Sequence, residues 1–434
     1  MKTRLGLAAL AATTLAWSSA SLAATEIQFW HAMGGALGEK VDEIAGKYNA
    51  SQSDFVMKPV FKGNYTETMT AAVAAFRAGE QPHVVQVFEV GTASMMAAGG
   101  AIKPVTDVMK DAGVAFDQAD YLPAVVSYYQ TPKGDLLSLP FNSSTPVLWV
   151  NNDLLKQAGV DKTPTTWDEM FEAGAKLQAA GHDCAFSFGW QSWVMIENMS
   201  AWHNLPIGTG SNGFEGLDTE FTFNNGTITG LLQRVADAGK SGMFKYGGRR
   251  GDSLALFTTG ECAMWMNSSA YYASIKAQAK FDFSQSMLPY LSDVVSKPQN
   301  SIIGGATLWV LRGKDDADYR GVAEFFKYLS RPEIQADWHQ STGYVPITTA
   351  AWKLSEEQGF YKSNPGTDTA IKQLSLNTPT ANSRGLRFGN FVQIRDIINE
   401  EMEAIWSGEK SAQKAMDDAK ARGDNLLRKF EKTN

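Results

Sequence analysis

Arg395 carries the most specific chemistry in this chain, because its guanidinium is a planar fork of donors suited to bidentate capture of a phosphate. It lies near the start of a helix whose apolar stripe runs Phe391, Ile394, Ile398, Met402 and Ile405. An arginine alone on such a helix is ordinarily a solvated charge, so its weight comes from company. Ser144, Ser268 and the Gly305 amide can supply neutral donors to the same anion, as helix starts and backbone nests do. Gly304 and Gly305 lack side chains, so a buried ligand can approach their amides, and the apolar run Leu308 to Leu311 puts a strand behind them. Gly189-Trp190-Gln191-Ser192-Trp193 sets two indoles three residues apart beside a glycine and two polar residues, a pattern better suited to a ligand wall than to a core. These residue types hold a small anion and do no chemistry on it.

Motifs for other chemistries lack their context. Gly208-Thr209-Gly210-Ser211-Asn212-Gly213 has the spacing of a dinucleotide loop, but Pro206 precedes it and no strand-turn-helix surrounds it. Gly239-Lys240-Ser241 has Arg234 where a phosphate loop needs glycine. The histidines, His31, His83, His182, His203 and His339, are scattered singly and build no metal site, and His182-Asp183-Cys184 is too close in sequence to make a nucleophile with its base. No catalytic residue, metal site or cofactor is expected.

Positioning falls to short strands alternating with helices. Glu26 to Trp30, Val56 to Phe61 and Val84 to Phe88 are predicted strands; Leu37 to Tyr48 and Glu67 to Arg77 are predicted helices. In such a βαβαβ unit the loops gather at the carboxyl ends of the strands, so Tyr65 and Glu89 face one crevice. Pro140 to Pro146 brackets small polar residues as a crossing to a second lobe requires, and Thr166 with Glu169 predicts a capping box. Helices are also predicted from Phe391 and over Ser411 to Phe430.

A chain of 434 residues far exceeds a one-core domain of about 100–200 residues, so two lobes are expected. Lys2 and Arg4, the apolar run Leu5 to Trp17 and Ser21-Leu22-Ala23 predict a signal peptide cleaved after Ala23. No cysteine near that point could carry a lipid, which predicts a free periplasmic protein of a two-membrane bacterium. Loss of Lys2 and Arg4 takes the net charge from −7 to −9, against nucleic acid or an anionic membrane surface as partner. Cys184 and Cys262 fall in an oxidising compartment, and sequence leaves their pairing open.

Long blocks then carry a resemblance: FWHAMGG, FKGNYTETMTAAVAAFRAG, LPFNSSTPVLWVNND, SFGWQSWVMIEN, GECAMWMNSS, NSIIGGATLWV, HQSTGYVPITTAAW and GLRFGNFVQIRDIINEE. Through them the chain resembles the bacterial extracellular solute-binding proteins of ABC importers, in the branch that takes glycerol phosphates. The resemblance implies an α/β, two-lobed periplasmic-binding-protein fold with the ligand cleft between lobes. Lobe 1 would comprise residues 24–141 plus 304–346, lobe 2 residues 146–300 plus 350–434, with crossings at 142–146, 300–305 and 346–352. It implies a ligand set of Tyr65, Glu89, Ser144, Trp190, Trp193, Ser268, Gly305, Tyr344 and Arg395. Arg395 would act as the sole guanidinium among neutral donors on the phosphate, Glu89 would accept glycerol hydroxyls, and the Tyr65, Trp190 and Trp193 rings would cover the carbon skeleton. The implied ligand is sn-glycerol 3-phosphate or a glycerophosphodiester such as glycerophosphocholine. A monomer would deliver it to permease subunits with their ATPase, without enzyme activity. A sugar receptor of the same architecture is the alternative, and a secreted glycerophosphodiesterase a remote one. The chain departs from the pattern at Ala270-Tyr271, where members carry Gly-Ser; the added ring would narrow the crevice or cradle a choline head. Arg395→Ala is expected to keep the fold and lose the ligand.

Overall fold

The computed structural model describes residues 24–131 and 133–434; the expected signal peptide, residues 1–23, lies outside the described residues. Among the described residues ten strands form two sheets: β1 (Thr25–His31), β2 (Phe55–Phe61), β3 (Val84–Phe88), β4 (Ile102–Lys103), β5 (Leu139–Ser144), β6 (Pro146–Asn151), β7 (Cys184–Phe188), β8 (Cys262–Ser268), β9 (Phe283–Ser286) and β10 (Gly304–Leu311). In the first sheet β1 pairs parallel with β2 and β3, with helices Gly35–Ser51 and Tyr65–Ala78 as the crossovers that alternation predicts. The helix expected from Glu67 begins two residues earlier, because Asn64 and Glu67 form a capping box. β10 returns from late in the chain to lie antiparallel to β3 and β5. The helices Asp316–Leu329 and Pro332–Thr342 follow it, and Pro332 at the first helical position starts the second.

The second sheet has the order β7-β8-β6-β9, with β7 parallel to β8 and β6 antiparallel to both its neighbours. Cys184 and Cys262 are register partners in β7 and β8, their Cα atoms 4.6 Å apart, and they form a disulfide. The Thr166 box forms as predicted: Thr166 Oγ1 accepts from the Glu169 amide at 3.2 Å and Glu169 accepts from the Thr166 amide at 3.1 Å. Helices Phe391–Trp406 and Ala412–Thr433 pack together and against Gly226–Lys240. Gly210, Ser211 and Asn212 take left-handed φ values of 60°, 53° and 57°, so the 208–213 glycines make a tight turn and open no nucleotide-binding helix.

β5 and β6 are consecutive strands of different sheets, so the chain crosses between them at Thr145. Thr145 Oγ1 donates to the Ile302 carbonyl at 3.0 Å and lies 2.7 Å from Ser301 Oγ, which ties this crossing to the returning one. Tyr344 and Val345 join the same seam, because the Val345 amide donates to the Ser143 carbonyl at 2.8 Å. No helix among the described residues is long and apolar enough to cross a membrane.

Candidate functional site

All nine residues expected at the site line one cavity at this seam. The first sheet contributes Tyr65, which opens the helix after β2, and Glu89, which follows β3 directly. Ser144 and Gly304 are register partners where β5 meets β10, and Ser268 ends β8. Trp190 and Trp193 lie just past β7. Tyr344 follows helix Pro332–Thr342.

A chain of hydrogen bonds sets Tyr65 from the sheet interior. The Ala32 amide donates to Gln86 Oε1 (2.8 Å), Gln86 Nε2 donates to Asn142 Oδ1 (2.7 Å), and Asn142 Nδ2 donates to the Tyr65 hydroxyl (2.9 Å). The Tyr65 ring stacks on Phe88 at 5.2 Å, and the Tyr344 ring on Trp338 at 5.8 Å. Burial raises the Tyr65 and Tyr344 phenols above their ordinary range, so both remain O–H donors.

The paired glycines matter for reasons other than ligand access alone. A Cβ on Gly304 would sit 2.5 Å from the Trp193 ring, and one on Gly305, at φ 102°, would sit 1.9 Å from the Asn142 carbonyl oxygen. The first absence seats an indole, and the second lets the strands close over a left-handed residue.

Arg395 is not the sole guanidinium among neutral donors that the sequence implied. Its Nε donates to Glu197 Oε1 at 2.9 Å, while one terminal nitrogen donates to Glu197 Oε2 at 2.6 Å and to Glu89 Oε1 at 2.8 Å. All three side chains are at most 5% exposed. With both carboxylates ionised the cluster has one net negative charge, and Nη1 alone keeps its donors free. Burial pushes the Glu89 carboxyl up, Arg395 draws it down and Glu197 pushes it up again, with a raised value as the result. Burial opposes the charge of Arg395, yet Glu197 and Glu89 carry the guanidinium above its ordinary value. Glu197 belongs to the same side of the seam as Arg395, whereas Glu89 reaches across from the first sheet.

Glu197 escaped sequence reasoning. It sits in a π-helical turn, Trp193–Asn198, that also carries Trp193, a distortion common at functional sites. It is the one charged residue in the run from Val194 to Trp202, directly after Val194, Met195 and Ile196, and that is the signal that could have found it. Arg250, also missed, lines the cavity without a distinctive sequence pattern.

Two α/β sheet units with a polar, aromatic-walled cavity at the crossings define a solute-binding protein. The chain belongs to the bacterial extracellular solute-binding protein family, whose model matches residues 43–369. It is 50% identical over 426 residues, 98% of this chain and 97% of its relative, to the sn-glycerol-3-phosphate-binding periplasmic protein UgpB of Yersinia pseudotuberculosis. UgpB of Salmonella typhimurium is 48% identical over 433 residues, covering 99% of this chain and 98% of that one. Among solved structures, UgpB from Mycobacterium tuberculosis in complex with glycerophosphocholine matches with a TM-score of 0.78 and 21% identity, over 94% of this chain and 99% of that one. Maltose-bound MalE3 of T. maritima matches at 0.77 with 17% identity, over 93% and 100%. These two structures speak to the fold, which is the two-lobed one expected.

Proposed function

We propose that this protein is the periplasmic receptor of an ABC importer and captures sn-glycerol 3-phosphate, or a glycerophosphodiester such as glycerophosphocholine, between its lobes. The observation that carries the proposal is 50% identity along 98% of the chain to a protein named for binding sn-glycerol 3-phosphate. Its support within the chain is the gathering of nine residues of suitable chemistry on one cavity.

In this proposal the Ser144, Ser268 and Tyr344 hydroxyls and the Gly305 amide face the phosphate oxygens. Desolvating a phosphate costs several kcal/mol unless such bonds replace water. Arg395 holds Glu89 through Oε1, leaving Oε2 to accept a glycerol hydroxyl, and offers Nη1 to the ligand. Tyr65, Trp190 and Trp193 cover the carbon skeleton. Residues 24–141 with 304–346 and residues 146–300 with 350–434 would form the lobes, moving about the crossings. The protein acts as a monomer, leaves its ligand unaltered, and passes it to permease subunits whose ATPase drives import. A leader over residues 1–23 would deliver it to the periplasm.

Titration calorimetry on refolded, ligand-free protein tests the proposal with sn-glycerol 3-phosphate, glycerophosphocholine and a panel of maltodextrins and simple sugars. Saturable binding of the glycerol phosphates is expected. Binding of a sugar in their place makes the protein a sugar receptor, and release of free choline on long incubation makes it a phosphodiesterase.

A further inference from the structure

The charge balance around the cavity leaves the ligand phosphate without a counter-ion. Arg395 is outnumbered by Glu89 and Glu197, so a phosphate beside that cluster meets a net negative charge in a poorly solvated place. The cavity wall holds one other cation, Arg250. Its neighbour Arg249 is tied to Glu403 by bonds of 2.7 Å from Nε and 2.7 Å from a terminal nitrogen, but among the described residues the Arg250 side chain has neither an ion pair nor a hydrogen bond. The Arg250 guanidinium lies 5.9 Å from the centre of the Trp190 ring. It also borders a second, smaller cavity that shares Tyr65, Trp190 and Arg395 with the first and adds Asp396 and Asn399.

The backbone fixes that position at the expense of strain. Arg250 and Trp190 both take left-handed conformations, at φ 57° and 44°, which side-chain-bearing residues rarely adopt. The two are joined: the Trp190 amide donates to the Arg250 carbonyl at 3.0 Å, and Asn267 Nδ2 donates to the same oxygen at 3.2 Å. A Cβ on Gly189 would fall 2.0 Å from that oxygen, so the glycine is what lets the segments meet. Arg250 is therefore held against an indole of the cavity wall by contacts its backbone makes, while its five side-chain N–H groups stay free.

We infer that Arg250 supplies the positive charge that neutralises the ligand phosphate, and that Arg395 serves chiefly to hold Glu89 and Glu197 in place. The inference rests on the glycerol-phosphate function proposed above and keeps the phosphate on the Ser144, Ser268, Tyr344 and Gly305 donors, in the cavity whose wall Arg250 lines.

Calorimetry on the full-length mature protein with sn-glycerol 3-phosphate, at low and high salt, tests it on wild type, Arg250→Gln and Arg250→Lys. Arg250→Gln is expected to weaken binding by about tenfold or more, the worth of a hydrogen bond to a charged group, and to flatten the salt dependence. Arg250→Lys is expected to keep the salt dependence and recover part of the affinity, a pattern a merely structural arginine would not give. Thermal midpoints of the empty variants within a few degrees of wild type keep misfolding out of the comparison, and Arg250→Ala serves in place of the glutamine variant if that one unfolds. Wild-type binding with an Arg250→Gln affinity within about twofold and an unchanged salt slope overturns the inference alone. A wild type that binds no glycerol phosphate overturns the proposed function as well.

Discussion

Removing the Arg395 guanidinium should destabilise the empty protein strongly near neutral pH and weakly in mild acid. Arg395→Ala leaves Glu197, 1% exposed, and Glu89, 5% exposed, without their cation. Breaking a buried pair from one side costs about 3–5 kcal/mol. Protonation limits that cost: neutralising a carboxyl of ordinary pKa takes about 4 kcal/mol at about pH 7.5 and about 1 kcal/mol at about pH 5. In the proposed lobe opening Glu89 would rehydrate, because its pair spans the seam, whereas Glu197, on the same side of the seam as Arg395, would not. The expected loss relative to wild type is therefore about 4 kcal/mol near pH 7.5, rising toward twice that if the lobes stay closed, and about 1–2 kcal/mol near pH 5. Urea unfolding followed by tryptophan fluorescence at both pH values measures it. Adding Glu197→Gln to Arg395→Ala should restore part of the neutral-pH loss. A loss below about 1 kcal/mol near pH 7.5, or one equal at both pH values, would refute a guanidinium committed to two buried carboxylates. The structure thus replaces the expectation from sequence that Arg395→Ala leaves the fold intact.

The two indoles should separate in their effects. Trp190 is half-buried, so Trp190→Ala should weaken ligand binding with little change in the thermal midpoint of the empty protein. Trp193 is 3% exposed and packs on Gly304, so Trp193→Ala should also cost about 3–5 kcal/mol in urea unfolding. Reducing Cys184–Cys262, which closes a loop with a sequence separation of 78, should lower stability by about 4 kcal/mol, read from urea melts with and without dithiothreitol. Burial lowers the His339 imidazole from 6.5 to about 4. The unfolded chain takes up that proton first, so the stability it contributes is whole above about pH 6.5 and is lost, by up to about 3 kcal/mol, as pH falls toward 4. Urea melts across that range should show a shallower acid limb in His339→Gln.

Local pattern made much of the fold legible. Val84–Phe88 is a buried run with turn signals at its ends, and its bounds agree with the sequence to the residue. Thr166 and Glu169 cap a helix through atoms three residues apart. Elements that depend on a partner were less visible: nothing local says that β10 returns to lie antiparallel to β3.

The sequence by itself marked part of the cavity, Gly305, Trp190 and Trp193 by local pattern and the rest of the nine residues through the family resemblance, while Glu197 and Arg250 stayed outside that reading. Only the tertiary structure decided what those residues do to one another. Arg395 meets Glu197 across 198 positions and Glu89 across 306, and no short-range period records such encounters. A charge's role depends on what neutralises it. The folded path of the chain committed one arginine to two buried carboxylates and left Arg250, unremarkable in sequence, with its donors free.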